Sequence, residues 1–161
     1  MAAEKIKIKN LSKTFVEKTG DTKVLEDISL SVRENEFLVL LGPGQCGKTV
    51  LLNILAGLDH PTAGTINIAG KDAIKPGDVG LVFQKYALFP WKTVIENVEM
   101  SQKLRGTDKE QRRKSARHYI KLVGLEKFET SYPKQLSGGM KQRVGIARAY
   151  ASESDILLMD E

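Results

Sequence analysis

The sequence predicts an α/β fold in which a β-rich first half leads into a helical block set between two buried strands. Three patterns predict it. Apolar and polar residues alternate with period two through much of the first third of the chain. Short apolar runs such as "FLVLL" and "ILLM" end against glycine or acid, as buried strands do. Stripes of 3.6-residue period fill the stretch from about Thr93 to Ala151.

The elements follow in order. "KIKIKNL" places Ile6 and Ile8 on one strand face, and "ISLSV" repeats the pattern with Ile28, Leu30 and Val32. Glu34 and Asn35 turn the chain into "FLVLL", residues 37–41, which is apolar throughout and predicts a strand covered on both faces. "GTINIAG", residues 64–70, is a further short strand between glycines. Together these predict an antiparallel sheet beside a buried parallel strand. From Lys48 the run "KTVLLNILAGL" predicts a buried helix that Gly57 stops. "DVGLVFQ", residues 78–84, predicts another buried strand.

After Pro90 the pattern turns helical. "TDKE", residues 107–110, fits a capping box with Thr107 as N-cap and Glu110 reaching back. Ala116, Tyr119, Ile120 and Val123 then form one stripe, and Gly124 ends that helix. A second helix follows Ser137, with Met140, Val144, Ala147 and Ala151 on one face. "ILLM" is the last strand.

The chain has 161 residues, 41% hydrophobic and 28% charged, which suits one domain with a substantial core. Lys and Arg number 25 against 20 Asp and Glu, a formal charge of +5. That excess permits polyanionic partners and is equally met by a solvated basic surface. Its densest run, "KEQRRKSARH" at residues 109–118, reads as the wet face of a helix. The single cysteine, Cys46, allows no internal disulfide and points to a reducing compartment. The N-terminal residues carry no signal-peptide apolar region, and no stretch approaches the ~18 apolar residues of a membrane span.

The chemistry concentrates at three places. "GPGQCGKT", residues 42–49, fits G-x-x-x-x-G-K-[ST] between a predicted strand and a predicted helix, the context that defines a phosphate loop. Gly42, Pro43, Gly44, Gln45, Cys46 and Gly47 form the loop, and Lys48, Thr49 and Val50 open the helix. Glycines let the loop turn its N–H groups inward, and the helix N-terminus adds its positive end. Lys48 supplies a point charge for the β- and γ-phosphates, and Thr49 a hydroxyl for Mg²⁺. "ILLMDE" ends an apolar strand on Asp160, suited to holding Mg²⁺, and Glu161, suited to act as general base on water. "LSGGM" places Ser137, Gly138 and Gly139 at a second helix N-terminus, a second anion-binding end that one site does not need. It makes sense if it serves a nucleotide held by another copy of the chain.

With these motifs in hand, the chain resembles the ATP-binding subunit of ATP-binding-cassette (ABC) transporters. "GPGQCGKT" resembles the Walker A loop, "LSGGM" the signature, "ILLMDE" the Walker B strand with its glutamate, and "VFQ" the Q-loop, with Gln84 at the glutamine. Phe15 matches the aromatic that stacks on adenine. The resemblance runs from Phe15 to Glu161, in the family's order. It implies a P-loop NTPase (RecA-like) core with an N-terminal antiparallel β subdomain and an inserted α-helical signature subdomain. Residues 1–92 and 152–161 would form the first two and residues 93–151 the third.

The resemblance also implies a head-to-tail dimer, with each ATP between the Walker A of one subunit and the signature of the other. Lys48 and the loop amides would bind phosphate, and Thr49, Gln84 and Asp160 would organise Mg²⁺. Glu161 would activate the water, and Ser137, Gly138 and Gly139 would clasp the partner's ATP. A membrane-spanning permease subunit would meet the segment "YALFPWKTVIENV" near Phe89 and Trp91. The protein would thus sit on the cytoplasmic side of the cell membrane, held there only through the permease.

"FPWKTV" with "LSGGMKQRV" is similar to importers of the nitrate, sulfonate and taurine type. Met140 stands where the family commonly has glutamine, and Gly44 and Gln45 where it has serine then glycine. Gln45 is therefore expected to hold a backbone angle that glycine takes freely. Segments that follow the glutamate in the family, including a γ-phosphate histidine, are expected to be missing; His60 and His118 lie elsewhere. That expectation implies an open sheet edge, and a fragment that binds nucleotide without turnover stays as an alternative. A soluble ABC ATPase acting on nucleic acid would show a long coiled-coil insertion or zinc-ligand cysteines; neither occurs, so no nucleic-acid partner is expected.

Overall fold

The computed structural model describes residues 3–160 apart from Thr19, Ala73 and Pro76. Its contacts cluster into two compact units, Met1–Asp78 and Val79–Glu161.

In the first unit, β1 (Glu4–Glu17) lies between β2 (Gly20–Arg33) and β3 (Ala63–Ile68), antiparallel to both. The alternation seen in the sequence sets this register. Ile6 pairs with Val32 on one side and Ile68 on the other, and Ile8 with Leu30 and Ile66. Two apolar rows thus cross the sheet on one face, and their centres, Ile6 and Ile8, are buried. The register shifts between Ile8 and Leu11, where Asn10 takes a positive φ and its amide nitrogen donates to Asp27 Oδ1 at 2.6 Å. Gly64 makes room for that irregularity, since a Cβ there would lie 2.4 Å from the Asn10 carbonyl oxygen.

Asn35 turns the chain after β2 with φ 61°, and Glu36 N–H donates to the Arg33 carbonyl. The predicted strand at residues 37–41 does not form. These residues make no backbone hydrogen bond to any described residue, and Phe37 and Leu41 are each 90% exposed. An apolar run codes for a buried strand only when neighbouring strands satisfy its N–H and C=O groups. No described strand pairs with this one.

Helix α1 (Lys48–Leu55) follows, with Leu51, Leu52, Ile54 and Leu55 buried. Gly57 ends it in the left-handed region, φ 70°, where a Cβ would stand 2.8 Å from the Ile74 carbonyl oxygen.

In the second unit, β4 (Gly80–Val82) and β5 (Leu157–Met159) pair in parallel, Gly80 with Leu157 and Val82 with Met159. Both predicted strands are present, each trimmed to three residues. A parallel pair needs a long crossover. Here that crossover carries α2 (Val94–Val98), α3 (Met100–Leu104), α4 (Lys109–Leu122) and α5 (Gly138–Tyr150). The predicted stripes build the core of these helices: Ala116 and Ile120 of α4 pack with Val144, Ala147 and Ala151, joined by Val94, Ile95 and Val98.

Two caps differ from the sequence reading. Asp108, not Thr107, caps α4, accepting from Glu110 N–H at 2.8 Å. Its carboxylate reaches the first free amides from one residue nearer, and these bonds hold its pKa below the ordinary aspartate value. The capping box sits instead at α2, where Thr93 and Glu96 satisfy each other's backbone. Nor is the basic face of α4 wholly wet. Arg112 and Arg113 lie 3.3 and 3.5 Å from the buried Glu99 carboxylate, and Arg117 pairs with Glu129.

One buried side chain organises the segment leading into α2. Asn97 is fully buried; its Oδ1 accepts Phe89 N–H at 2.8 Å. Its Nδ2 donates to the carbonyls of Phe89, Lys92 and Thr93 at 3.2, 3.1 and 2.9 Å. Replacing Asn97 by Ala strands these groups, so the urea midpoint should fall by the equivalent of about 2–3 kcal/mol. Leu41→Ser, at a position predicted from sequence to be core, should change stability by no more than about 0.5 kcal/mol. A multi-kcal loss at Leu41 would mean that the segment is buried in solution.

Candidate functional site

The first unit carries the glycine-rich loop directly before α1. Gln45 holds φ 65°, the left-handed angle expected of it, and Gly47 follows at φ 93°. Two left-handed residues, one residue apart, tighten the turn that leads into α1. Gly47 is sterically required: a Cβ there would lie 2.7 Å from Leu25 Cδ2 and 3.0 Å from the Val24 carbonyl oxygen of β2. A Cβ at Gly42 would meet Cys46 Sγ at 2.7 Å, whereas one at Gly44 would meet nothing within 4 Å.

Lys48 folds back over the loop, donating from Nζ to the carbonyls of Gly42 and Pro43 at 2.8 and 2.9 Å. Its Nζ is 3.6 Å from Cys46 Sγ, and Cys46 is exposed. The carbonyls of Gly42 and Pro43 thus hold a cation at the loop. Thr49 is exposed on the first turn of α1 and Val50 half-buried behind it.

Phe15 pairs with Thr22 across β1 and β2 and is 37% exposed. Lys13 Nζ sits 4.8 Å from the centre of its ring, a cation–π distance. That ammonium is anchored on Asp59 Oδ1 at 2.6 Å and the His60 carbonyl at 2.8 Å. The Lys13 hydrogen bond is the main cause holding the Asp59 carboxyl below its ordinary 3.8. A depressed carboxyl pKa stabilises the fold above the unfolded value, and the contribution fades as pH falls through the folded one. Nothing in the motif pattern around Phe15 signalled Lys13 as its neighbour.

The second unit carries the other candidates. Parallel pairing brings the ends of β4 and β5 to one edge, and Asp160 N–H donates to the Val82 carbonyl at 3.0 Å. Gln84 lies two residues beyond Val82 in an exposed bend, and Asp160 is buried. The sequence did not dictate this juxtaposition; the strand pairing does. The Gln84 amide oxygen and the Asp160 carboxylate are hard oxygen donors, the chemistry Mg²⁺ takes. Among the described residues no three His, Cys, Asp or Glu side chains cluster as a metal site of their own. Glu161 lies outside the described residues.

Ser137 caps α5 by accepting Met140 N–H at 3.3 Å, leaving Gly138 and Gly139 exposed in the first turn with no intrahelical acceptor for their amides. The Tyr86 hydroxyl stands over Gly138, and Arg148 of α5 donates to the Ala87 carbonyl at 2.7 Å. Sequence reading missed both: each joins residues far apart in the chain with no local periodicity. Phe89 and Trp91 lie 5.8 Å apart, ring to ring, and Trp91 is 70% exposed. No helix among the described residues is long and apolar enough to cross a membrane.

A glycine-rich loop opening a helix, and an acid-ended strand in a parallel pair, define a nucleotide-phosphate-binding α/β protein. The ABC transporter family model matches residues 25–161, and the chain belongs to that family. It is 52% identical over 158 residues to an ABC transporter ATP-binding protein of Methanocaldococcus jannaschii, covering 98% of this chain and 59% of that protein. It is 46% identical to the nitrate import ATP-binding protein of Synechocystis sp., covering 97% and 59%. To the taurine import ATP-binding protein of Rhizobium johnstonii it is 44% identical, covering 97% and 60%. The chain thus spans about 59% of the length of the curated relatives it matches.

Among solved structures, the dimeric ATP-binding cassette MJ0796 in a post-hydrolysis state, bound to ADP and Pi, superposes with a TM-score of 0.90 at 35% identity. That match covers 97% of this chain and 73% of the other. The fold is therefore that of an ABC cassette, with its antiparallel β subdomain and α/β organisation, over part of its relatives' length.

Opposite outcomes are expected at two neighbouring loop positions. Gly47→Ala should cost about 2 kcal/mol or more, from steric conflict with β2 added to the left-handed angle. Gln45→Gly removes a strained Cβ and should leave stability unchanged or raise it by up to about 1 kcal/mol. Thermal or urea unfolding of both variants decides; equal effects would mean that the loop does not hold these angles.

Proposed function

We propose that the chain binds MgATP at residues 42–50 and that, in the assembled transporter, ATP hydrolysis powers solute import through a membrane-spanning permease. The loop carries the binding half of this reading: a glycine-rich turn at a helix N-terminus whose lysine already lies against the loop's own carbonyls. On phosphate binding, Lys48 trades two carbonyls for phosphoryl oxygens, so the site's cation is in place beforehand. The amides of residues 44–49 would hold phosphate, and the exposed face of Phe15 would take the adenine. Thr49, Gln84 and Asp160 would hold Mg²⁺, which when bound neutralises phosphate charge. Glu161 would accept the proton of the attacking water.

In this reading ATP lies between the loop of one subunit and Ser137, Gly138 and Gly139 of a second, arranged head to tail. Two of the glycines with open space, Gly44 and Gly139, support it. No described neighbour within the chain forbids a side chain at Gly44 or Gly139, neither holds a positive φ, and in the first turn of α5, where Gly139 sits, glycine is a poorer helix former than alanine. Glycine there serves something that approaches from outside. Residues 93–151 would be the helical subdomain bearing this surface, and Phe89 with the exposed Trp91 would meet the permease on the cytoplasmic face of the membrane. The nitrate, taurine and aliphatic sulfonate import proteins among its relatives favour a small anion as the solute.

Lys48→Ala should weaken MgATP binding at least about 100-fold by calorimetry, and Glu161→Gln should leave binding intact while lowering any turnover by roughly 10²–10³. Bound MgATP should also protect the exposed Cys46 from thiol reagents. Modification at equal rates with and without saturating MgATP would place the nucleotide elsewhere. Gly139→Ala should raise helix stability by up to about 1 kcal/mol yet impair turnover in the assembled transporter. Unimpaired turnover would remove the signature's part in the proposal.

A further inference from the structure

Phe15 stands on a part of the first sheet that β3 does not reach. β1 pairs with β3 only as far as Ser12 with Ala63, whereas its pairing with β2 runs on to Glu17 and Gly20. Phe15 therefore lies in a two-stranded overhang, and the β1–β2 register shifts on both sides of Lys13. A two-stranded ribbon twists more than a wider sheet and is marginal by itself, so strand pairing alone holds this ring loosely.

Residues 59–62 supply what β3 does not. Thr14 N–H donates to Thr62 Oγ1 at 2.8 Å, and Thr62 N–H donates to the Ser12 carbonyl at 2.9 Å. Between these two bonds the Lys13 ammonium donates to Asp59 Oδ1 at 2.6 Å and to the His60 carbonyl at 2.8 Å, while it lies 4.8 Å from the centre of the Phe15 ring. The Lys13 side chain is only 12% exposed. His60 N–H donates to the same Asp59 oxygen at 2.7 Å, so backbone aims the carboxylate that aims the lysine.

We infer that Lys13 and Asp59 are positioning residues for base recognition: together they brace Phe15 from one face, so that a purine stacks on the other. This rests on the reading above, in which Phe15 takes the adenine. The ammonium is already engaged by a carboxylate, a carbonyl and a ring, which suits a brace and not a phosphate ligand. Its charge draws electron density from the ring and so favours an electron-rich base on the open face. Residues 48–62 then serve both ends of the nucleotide, with Lys48 opening α1 at the phosphates and Asp59 following the end of α1 at the base.

The test compares the full chain as wild type, Lys13→Met, Lys13→Arg, Asp59→Asn and Phe15→Leu, by calorimetry with MgATP and with magnesium tripolyphosphate, which has no base. Methionine fills the volume of the lysine stem, and Asp59, 31% exposed, stays in reach of water, so folding is retained. Phe15→Leu should weaken MgATP roughly tenfold and leave tripolyphosphate unchanged. Lys13→Met should weaken MgATP about fivefold, again without effect on tripolyphosphate, and Lys13→Arg should stay within about twofold of wild type. Asp59→Asn keeps an acceptor for His60 N–H and should weaken MgATP about threefold. Lys13→Met and Asp59→Asn change the net charge in opposite senses, so a loss in both comes from the placement of the ring and not from the field at the phosphates. Beside Phe15→Leu neither should have a further effect. The brace is overturned if Lys13→Met leaves MgATP affinity unchanged, if it weakens tripolyphosphate equally, or if its effect persists undiminished beside Phe15→Leu. A Phe15→Leu variant that binds MgATP as wild type does would instead take the base off this ring, and the underlying reading would fall with the brace.

Discussion

The second unit depends on one pairing: Gly80–Val82 with Leu157–Met159, in parallel. A parallel pair cannot be closed by a tight turn, so everything between must form a crossover, and here it is the helical block. The same pairing decides where chemistry is available. Parallel strands end on the same edge, so the bend after β4 that holds Gln84 and the residue after β5, Asp160, come to one end of the pair without any local sequence rule placing them there. Gly80 lets the pair sit close beneath α5, since a Cβ there would lie 3.3 Å from both the Ala149 carbonyl and Ser152 Oγ.

Much of the fold was legible because its signals are local. The alternation around Ile6, Ile8, Leu30 and Val32 sets strand faces, and the antiparallel register follows from it. The stripes at Ala116 and Ile120 and at Val144 and Ala147 state which helix faces are buried. The left-handed angle at Gln45 was legible through the resemblance, because the family has glycine at that position. What failed shares a different cause. Residues 37–41 have a strand's composition, but composition does not provide the hydrogen-bonding partner. The α4 cap went to Asp108 because two neighbouring residues could each serve, and the carboxylate reached the amides better. The box at Thr93 and Glu96 has the same spacing as Thr107 and Glu110. Tyr86 on Gly138 and Arg148 on Ala87 are set by tertiary placement alone, as is the anchoring of Lys13 on Asp59.

Polar side chains do as much as apolar packing in ordering the functional segments. Asn97 takes a stretch with no regular structure and gives its backbone groups buried partners. Glu99, buried, draws Arg112 and Arg113 out of what otherwise reads as a solvated helix face. Such pairs contribute little net stability, but breaking one partner leaves a charge without compensation, so they fix one arrangement over its competitors.

The exposed run at residues 37–41 leads directly into the phosphate loop, with Gly42 as the next residue. Its amides and carbonyls are left to water, and it contains neither charge nor proline. Such a segment is a template for any extended chain that meets it, and encounters between copies rise with the square of concentration. The net charge of +5 opposes them, an effect that salt weakens. Crowding and ionic strength therefore bear on the residues that lead into the loop.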